Sequence, residues 1–374
     1  MTETPFLIER LTLPDSLESP EAGDFLELCA LTDTLLEQVR GNTDLGTPDA
    51  ARLQNWRDSD YQSLEIYFIR AGGRMAARAW IQFPLRENLE TAWIGLGVLR
   101  EFEGRGLGRA LADHVEARAA ARGRTVLQSG TEHTAGGPDD GGERLVPPTG
   151  SGSVPASSRA VRFALRRGYE LVQVERTSLL TLSEGTVRAA AELQAAAQTR
   201  AGDAYELVSW LDATPERYLE DLVTLYTSMS TEIPLGGLEL GEELFDAARV
   251  REIDDRREHG GVRAVTMAAR HRQTGALAGY SILEHSEERP EVAHQDNTIV
   301  LPGHRGHALG QWMKAANLFA LTSAFPAVRR IYTYNADENR HMLDINVAMG
   351  FVPAGHDGQW QRKGPWSPEG EGGS

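Results

Sequence analysis

The feature that most constrains this chain is a repeat. Gly73 and Gly275, Val98 and Val300, and Gly108 and Gly310 all stand 202 positions apart. YFIRAGGRMAARAWIQF followed by TAWIGLGVLREFEGRGLGRALADHV has its counterpart in VTMAARHRQTGALAGYSIL followed by QDNTIVLPGHRGHALGQWMKAANLF. Each copy then reaches a helix ending in glycine and an aromatic, Gly168–Tyr169 and Gly350–Phe351, now 182 positions apart. The chain therefore has to build one unit twice. Its 374 residues are enough for two domains of ordinary size.

The changed offset places extra residues inside the first copy. Thr134 to Ser158 is rich in Gly, Pro and Ser without an apolar period. It reads as a flexible surface loop, either a plain insertion or a cover over a substrate. The expected domains are residues 1–182, with the insertion at 134–158, and residues 204–365. The Ala/Gln/Arg-rich stretch 183–203 is a helical or semi-flexible connector, and 366–374 a disordered tail.

Hairpins are expected at 64–70 with 74–83, around Gly72–Gly73, and at 263–270 with 276–284, around Thr274–Gly275. Strands 92–99 and 293–300 lead into Gly-rich turns. The helices that follow carry Leu107, Leu111 and Val115, or Leu309, Met313 and Ala316, at helical spacing. The second copy opens with a strand at 205–210. Its next helix has Thr214 as N-cap, Pro215 in the first position, and Tyr218, Leu222 and Leu225 on one stripe. Alternating strands and helices imply an α/β fold, a mixed sheet covered by helices.

The turns EGRGLGRAL and HRGHALGQW each join a strand to a helix. Glycine tightens such a turn and lets a ligand approach the backbone. The first N–H groups of the helix lack partners and lie at the positive end of its dipole, a natural place for phosphate. Arg105, or Arg305 with His304 and His307, can add charge or donors. Neither turn has the Gly-Lys-Ser/Thr ending of a nucleoside-triphosphate loop, and neither opens a dinucleotide-binding unit. A tight connection without a ligand is the competing reading.

Val-x-x-x-x-(Arg/Gln)-x-x-(Gly/Ala)-x-(Gly/Ala) at such a turn resembles the acyl-coenzyme-A pyrophosphate loop of the GNAT N-acetyltransferases. Val300, Arg305, Ala308 and Gly310 fit every element of it. Val98, Gly106 and Gly108 fit in the first copy, where Glu103 stands in place of Arg or Gln. TYNADENRHMLDINVAMGF is similar to the family's Asn-containing second motif, and SSRAVRFALRRGYELV matches it in spacing without the asparagine. The arrangement resembles mycothiol synthase-like actinobacterial two-domain acetyltransferases. It implies two tandem GNAT-like domains, each a mixed, mostly antiparallel sheet flanked by helices.

The resemblance also implies a cofactor path. The pantetheine arm would lie where strands 293–300 and 329–335 splay, beside the backbone of Ile299 and Val300. Backbone amides of Arg305, Gly306, His307, Ala308, Leu309 and Gly310 would wrap the pyrophosphate. Asn335 and Asn339 belong to the second motif, and Asn339 would touch the cofactor. Val98, Arg105, Gly106 and Gly108 are the first copy's equivalents. That copy is expected to be degenerate, with the reaction carried by the second.

Amine acetylation needs a free amine, aligned reactants and donors for the developing oxyanion. Asp296, with Glu291 and His294 nearby, is the expected base. Glu232 is a candidate for binding a cationic acceptor. The family's usual tyrosine acid aligns with Asn346 and Ala164, so Tyr334 or a bound water would have to substitute. A solvated surface role for the two acids and plain strand packing for Tyr334 are the competing readings.

Fifty-four acidic against 38 basic residues give a net charge of −16. Such a surface repels nucleic acid and anionic lipid. The single cysteine, Cys29, excludes an internal disulfide and a cysteine-rich zinc site, and with no secretory leader or membrane span points to a reducing cytoplasm. His304 and His307 have no ligand partners at metal spacing, so no metal is expected.

These readings converge on an acyltransferase that moves acetyl from acetyl-CoA, its acyl-donor cosubstrate, to a small-molecule primary amine. The alternatives are a non-catalytic acyl-CoA sensor and a protein lysine or N-terminal acetyltransferase.

Overall fold

A computed structural model describes residues 6–137 and 141–364, so the expected tail at 366–374 lies outside the described residues. The first half runs β1 (Glu9–Arg10), α1 (Gly23–Arg40), α2 (Asp49–Trp56), β2 (Gln62–Ala71), β3 (Arg74–Pro84), β4 (Thr91–Val98), α3 (Leu107–Ala121) and β5 (Val126–Thr134). It continues with β6 (Arg144–Leu145), β7 (Val154–Pro155), α4 (Arg159–Arg166) and β8 (Glu170–Thr181). Helix α5 (Glu184–Ala201) follows. The second half repeats the plan: β9 (Tyr205–Leu211), α6 (Leu219–Glu232), α7 (Ala247–His259), β10 (Val262–His271), β11 (Leu277–Ser286), β12 (Val292–Val300), α8 (Leu309–Ala324), β13 (Arg330–Ala336), α9 (Arg340–Met349) and β14 (Val352–Lys363).

The two sheets run into one another. The strand order is β1-β2-β3-β4-β5-β14-β8-β13-β12-β11-β10-β9, so each half completes its sheet next to the other half's last strand. Antiparallel hairpins dominate. The parallel pairs are β4 with β5 and β12 with β13, joined through the crossover helices α3 and α8. Each parallel pair is short. Hydrogen-bonded register runs from Thr91↔Val126 to Ile94↔Ser129, and from Val292↔Arg330 to Gln295↔Thr333. Beyond those points the strands part, leaving a gap in each half.

Helices cover both faces. Leu107, Leu111 and Val115 of α3 pack with Ile81, Phe83 and Trp360 on one face of the first half. Phe25, Leu28 and Leu31 of α1 pack with Phe68 and Met75 on the other. Leu318 and Leu321 of α8, and Leu222 and Leu225 of α6, do the same in the second half. The connector is helical. Ser183 and Thr186 form a capping box, and Ala190, Ala197 and Ala201 bury against the second half.

Two local expectations are corrected. The insertion is not loop throughout: β6 pairs with β7, and Val154 is fully buried in the first core. One valine beside a proline anchors the segment, a signal too short to show as a period. Thr214 caps no helix. Its N–H and hydroxyl bond the Asp254 carboxylate, residues Glu216–Tyr218 form a 3-10 turn, and the helix starts only at Leu219.

Ion pairs cross between the halves. Buried Arg40, the last residue of α1, reaches Asp357 of β14 at 2.5 Å, and Thr177 of β8 donates to the other Asp357 oxygen at 2.7 Å. Asp44, after α1, accepts from Arg330 and Tyr332 of β13. Removing one partner of a buried pair leaves an uncompensated charge. Asp357→Ala is therefore expected to lower stability by about 3 kcal/mol in equilibrium urea unfolding.

Candidate active site

Both crossover helices begin without a side-chain cap. Gly106 precedes α3 at φ +92°, and Ala308 precedes α8 at φ +57°. The left-handed turn aims the first amides of each helix outward with no side chain to accept from them, which suits an anion. Arg105 itself folds back, donating to the Glu101 carbonyl and lying over the Phe102 ring. Glu103, at the position where the loop motif has Arg or Gln, pairs with Arg159 at the start of α4 at 3.0 Å.

The first-half loop opens into a cavity of about 1310 Å³. It follows Leu96 to Val98 of β4, passes Gly106 and Gly108, and is bounded by Phe163 of α4 and by Trp360. A Cβ at Gly108 would stand 3.4 Å from Val98, 3.6 Å from Leu96 and 4.0 Å from Phe163, so this glycine keeps the cleft clear. The cavity continues through the strand gap to the α1/α2 face, where Arg78, Trp80 and Glu132 line it. Gly95 and Gly97 thin the wall here. A Cβ on either would collide with the Trp80 ring or with Leu35.

Arg78, on β3 opposite Gly97, makes no hydrogen bond or ion pair among the described residues, and its Nε is buried without a partner. Burial, aided by nearby Arg52, pushes its pKa down to about 10, with Glu132 opposing. Glu132 on β5 accepts from Arg40 Nε at 3.1 Å and keeps half its side-chain surface open. Arg52 is taken up by Asp33, Asp49 and the Cys29 carbonyl.

The second half carries larger side chains at the corresponding places. Ala112, Gly130 and Ala164 line the first cavity. The repeat offsets place Lys314 and Asn346 at the first and last of those positions, and Tyr334, like Gly130, is the first residue past the parallel pairing. Asn346 donates to Asn335 at 2.7 Å, bridging α9 to β13 inside the gap. Lys314 is 1% exposed under the Phe351 ring. Tyr334 is the first residue of β13 past the point of divergence; it stays 40% exposed, and desolvation and the Asp357 carboxylate raise its pKa. Its charged neighbours are Asp357, Arg40, Glu132 and Glu175, at the junction of the halves.

The other expected site residues are scattered in role. Asp296 sits at a bulge in β12 that Gln295 clamps by bonding the Ile282 carbonyl. Desolvation, reinforced by Glu284, pushes its pKa up to about 6 against the pull of Arg257, 3.2 Å away, although 35% of its side-chain surface stays open. Glu232, at the end of α6, is paired with Arg305 at 2.6 Å, and Arg305 also donates to the Val300 carbonyl. Ile299 is buried and paired opposite Tyr280. Gly306 has φ +87° and its carbonyl accepts from Arg200 of the connector. His304 bonds the Tyr205 hydroxyl, and the His307 ring lies against Tyr205. Leu309 and Gly310 are buried. Asn339 is the N-cap of α9, its side-chain oxygen taken by the Met342 N–H, so that oxygen is not free for a cofactor.

Arg78, Glu132, Arg40 and Trp360 had no place in the motif reading. Two signals were present in the string: a Gly-x-Gly inside a strand (TAWIGLGV) and an arginine amid a strand's alanines (MAARAW). Both mark close approach or burial, and neither belongs to a family motif. Among the described residues no group of three His, Cys, Asp or Glu is placed to hold a metal, and no helix is long and apolar enough to cross a membrane.

The acetyltransferase (GNAT) family model matches residues 32–135, the segment from α1 through β5 that carries this cavity. Residues 32–135 carry a GNAT acetyltransferase domain. The parting of β4 from β5 and the uncapped start of α3 both lie within those residues. The tandem GNAT protein from the clavulanic acid biosynthesis pathway is similar over 97% of this chain and 100% of its own, at 23% identity and a TM-score of 0.72. A GCN5-related N-acetyltransferase from Sphaerobacter thermophilus is similar over 96% of both chains at 13% identity and a TM-score of 0.58. Saccharomyces cerevisiae N-myristoyltransferase covers 96% of this chain and 80% of its own, at 9% identity and a TM-score of 0.54. At these identities the likeness establishes the two-domain GNAT fold. No curated protein matches the chain.

Proposed function

We propose that this GNAT protein transfers an acyl group, acetyl in the first instance, from acyl-CoA to a small-molecule primary amine, and that the reaction runs in the first-half cleft. One observation carries this reading: a single cavity joins the Gly106–Gly108 helix start on one face of the sheet to a polar pocket on the other through the gap between β4 and β5. A donor bound along the loop would present its thioester at the gap, and an acceptor would meet it from the α1/α2 side. Enclosing both reactants supplies the alignment that this chemistry needs.

Glu132 stands on the acceptor side and takes the ammonium proton. The amine nitrogen then bonds the acyl carbon, the C–S bond breaks, and the second nitrogen proton is taken up as the thiolate becomes free CoA thiol. The products are an amide, CoA and one released proton.

Asp296 supports a second reading, in which the second half carries the reaction. A carboxyl with a pKa of about 6 is a base at neutral pH, and its rate would fall as pH drops through 6. Release of CoA thiol from acetyl-CoA with a panel of amines tests both. Glu132→Gln is expected to lower kcat by about 100-fold and Asp296→Asn by less than threefold. The reverse ranking moves the reaction to the second half. Tight acetyl-CoA binding with no turnover of any amine identifies a sensor instead.

A further inference from the structure

Arg78 is the group that the transfer reaction leaves without a task. It projects from the interior of β3 to the α1/α2 side of the sheet, opposite to Ala77 and Ala79, with no carboxylate, carbonyl or hydroxyl bonded to it among the described residues. Its neighbours Arg40 and Arg52 each have carboxylate partners. A half-buried guanidinium at a cavity wall, with its Nε shielded from solvent and no hydrogen bond made, is placed for something that enters the cavity. Its fork matches two oxygens of one planar anion.

The position narrows the ligand. Arg78 lies opposite Gly97 on β4, one side of the strand gap, and Glu132 lies on β5, the other side. The cavity thus offers a cation and an anion across the point where the thioester would sit. An ammonium is drawn to Glu132 and a carboxylate to Arg78. Trp80, lying over Gly95, gives the space between them an aromatic wall.

We infer that the acceptor is an amino acid in the broad sense, a primary amine carrying a carboxylate, and that Arg78 binds that carboxylate. The inference rests on the cleft assignment above and names the substrate class of the same site. Arg78 touches the acceptor and not the reacting atoms, so its loss should raise KM and leave kcat nearly unchanged.

The test uses the intact chain and ω-amino acids from glycine to 5-aminopentanoate, each compared with the alkylamine of equal length. Calorimetric binding is measured with and without acetyl-CoA, for wild type and Arg78→Gln. At least one amino acid should bind the wild type more tightly than its matched amine. Arg78→Gln should weaken that binding about 30-fold, leave the matched amine unaffected, and unfold at higher urea concentration than wild type. An arginine kept only for structure would instead lose stability on replacement. Equal binding of amino acids and amines by wild type, or an undiminished preference in Arg78→Gln, overturns the inference. Acetyl-CoA heat in the same titrations separates the two proposals. Its absence sinks the cleft assignment, while the carboxylate preference still decides the role of Arg78.

Discussion

Gly108→Val is expected to cut acyl-CoA-dependent turnover at least about 100-fold, and Gly310→Val, the same change in the second copy, to leave most of it. The first effect follows from where the new side chain goes. A Cβ at Gly108 already stands at ordinary contact distance from Val98, Leu96 and Phe163, and all three line the cleft. The two further methyls have only the cleft to occupy, next to the amides that would hold the pyrophosphate. A displacement of about 1 Å in a bound donor costs roughly 100-fold in rate, so a loss of at least about 100-fold in kcat/KM is expected. Backbone strain is not the cause, because Gly108 is a helix residue without a positive φ. Gly310 is already buried, 3.7 Å from Ile345 and 3.9 Å from Val300 at its Cβ position. Valine there should cost stability and change turnover by less than threefold. Kinetics of both variants, with urea unfolding of each to confirm the fold, checks the pair. Loss confined to Gly310→Val would assign the chemistry to the second half.

Lys314→Met should be markedly more stable than wild type at neutral pH. Burial holds the Lys314 amine at a pKa of about 7, and no hydrogen bond reaches its nitrogen among the described residues. The unfolded chain keeps the ordinary value of about 10.5. Between those values the unfolded state binds the extra proton, so this residue's contribution to stability improves as pH rises from 7 to 10.5 and is worst below 7. The difference corresponds to a cost on the order of 4 kcal/mol at pH 7. Methionine fills the same space without charge. The advantage of Lys314→Met in urea unfolding should therefore be largest at pH 5 to 7 and shrink to about 1 kcal/mol by pH 10. An advantage that does not change with pH would mean that Lys314 finds a counter-charge or water.

That lysine belongs to the main contrast between the copies. The second copy has the fuller set of motif residues, with Arg305, Asn335 and Asn339 in place. In the fold Arg305 is held by Glu232, Asn335 is bridged by Asn346, and Asn339 caps a helix. The first copy lacks those residues and has Ala112, Gly130 and Ala164 where Lys314, Tyr334 and Asn346 stand. Small side chains leave volume. A motif records which side chains are present, and a cleft is made where they are absent.

The string alone determined the repeat, both hairpins, the two strand-to-helix turns and the α/β class. All of these are local. They depend on glycine at turns, apolar periods of two or of 3.6, and a fixed offset, and each can be read within a few tens of residues. Only the tertiary structure decided that β14 enters the first half's sheet between β5 and β8, bringing Trp360 to the cleft and Asp357 to Arg40. Strand order depends on which unpaired edges meet after the helices have packed, and a strand's own residues carry no label for a partner 200 positions away. The same holds for Arg78 and Glu132. Each is an ordinary charged residue on an ordinary strand until β4 and β5 part beyond Ile94 and Ser129, and the gap between them gives both a face to share.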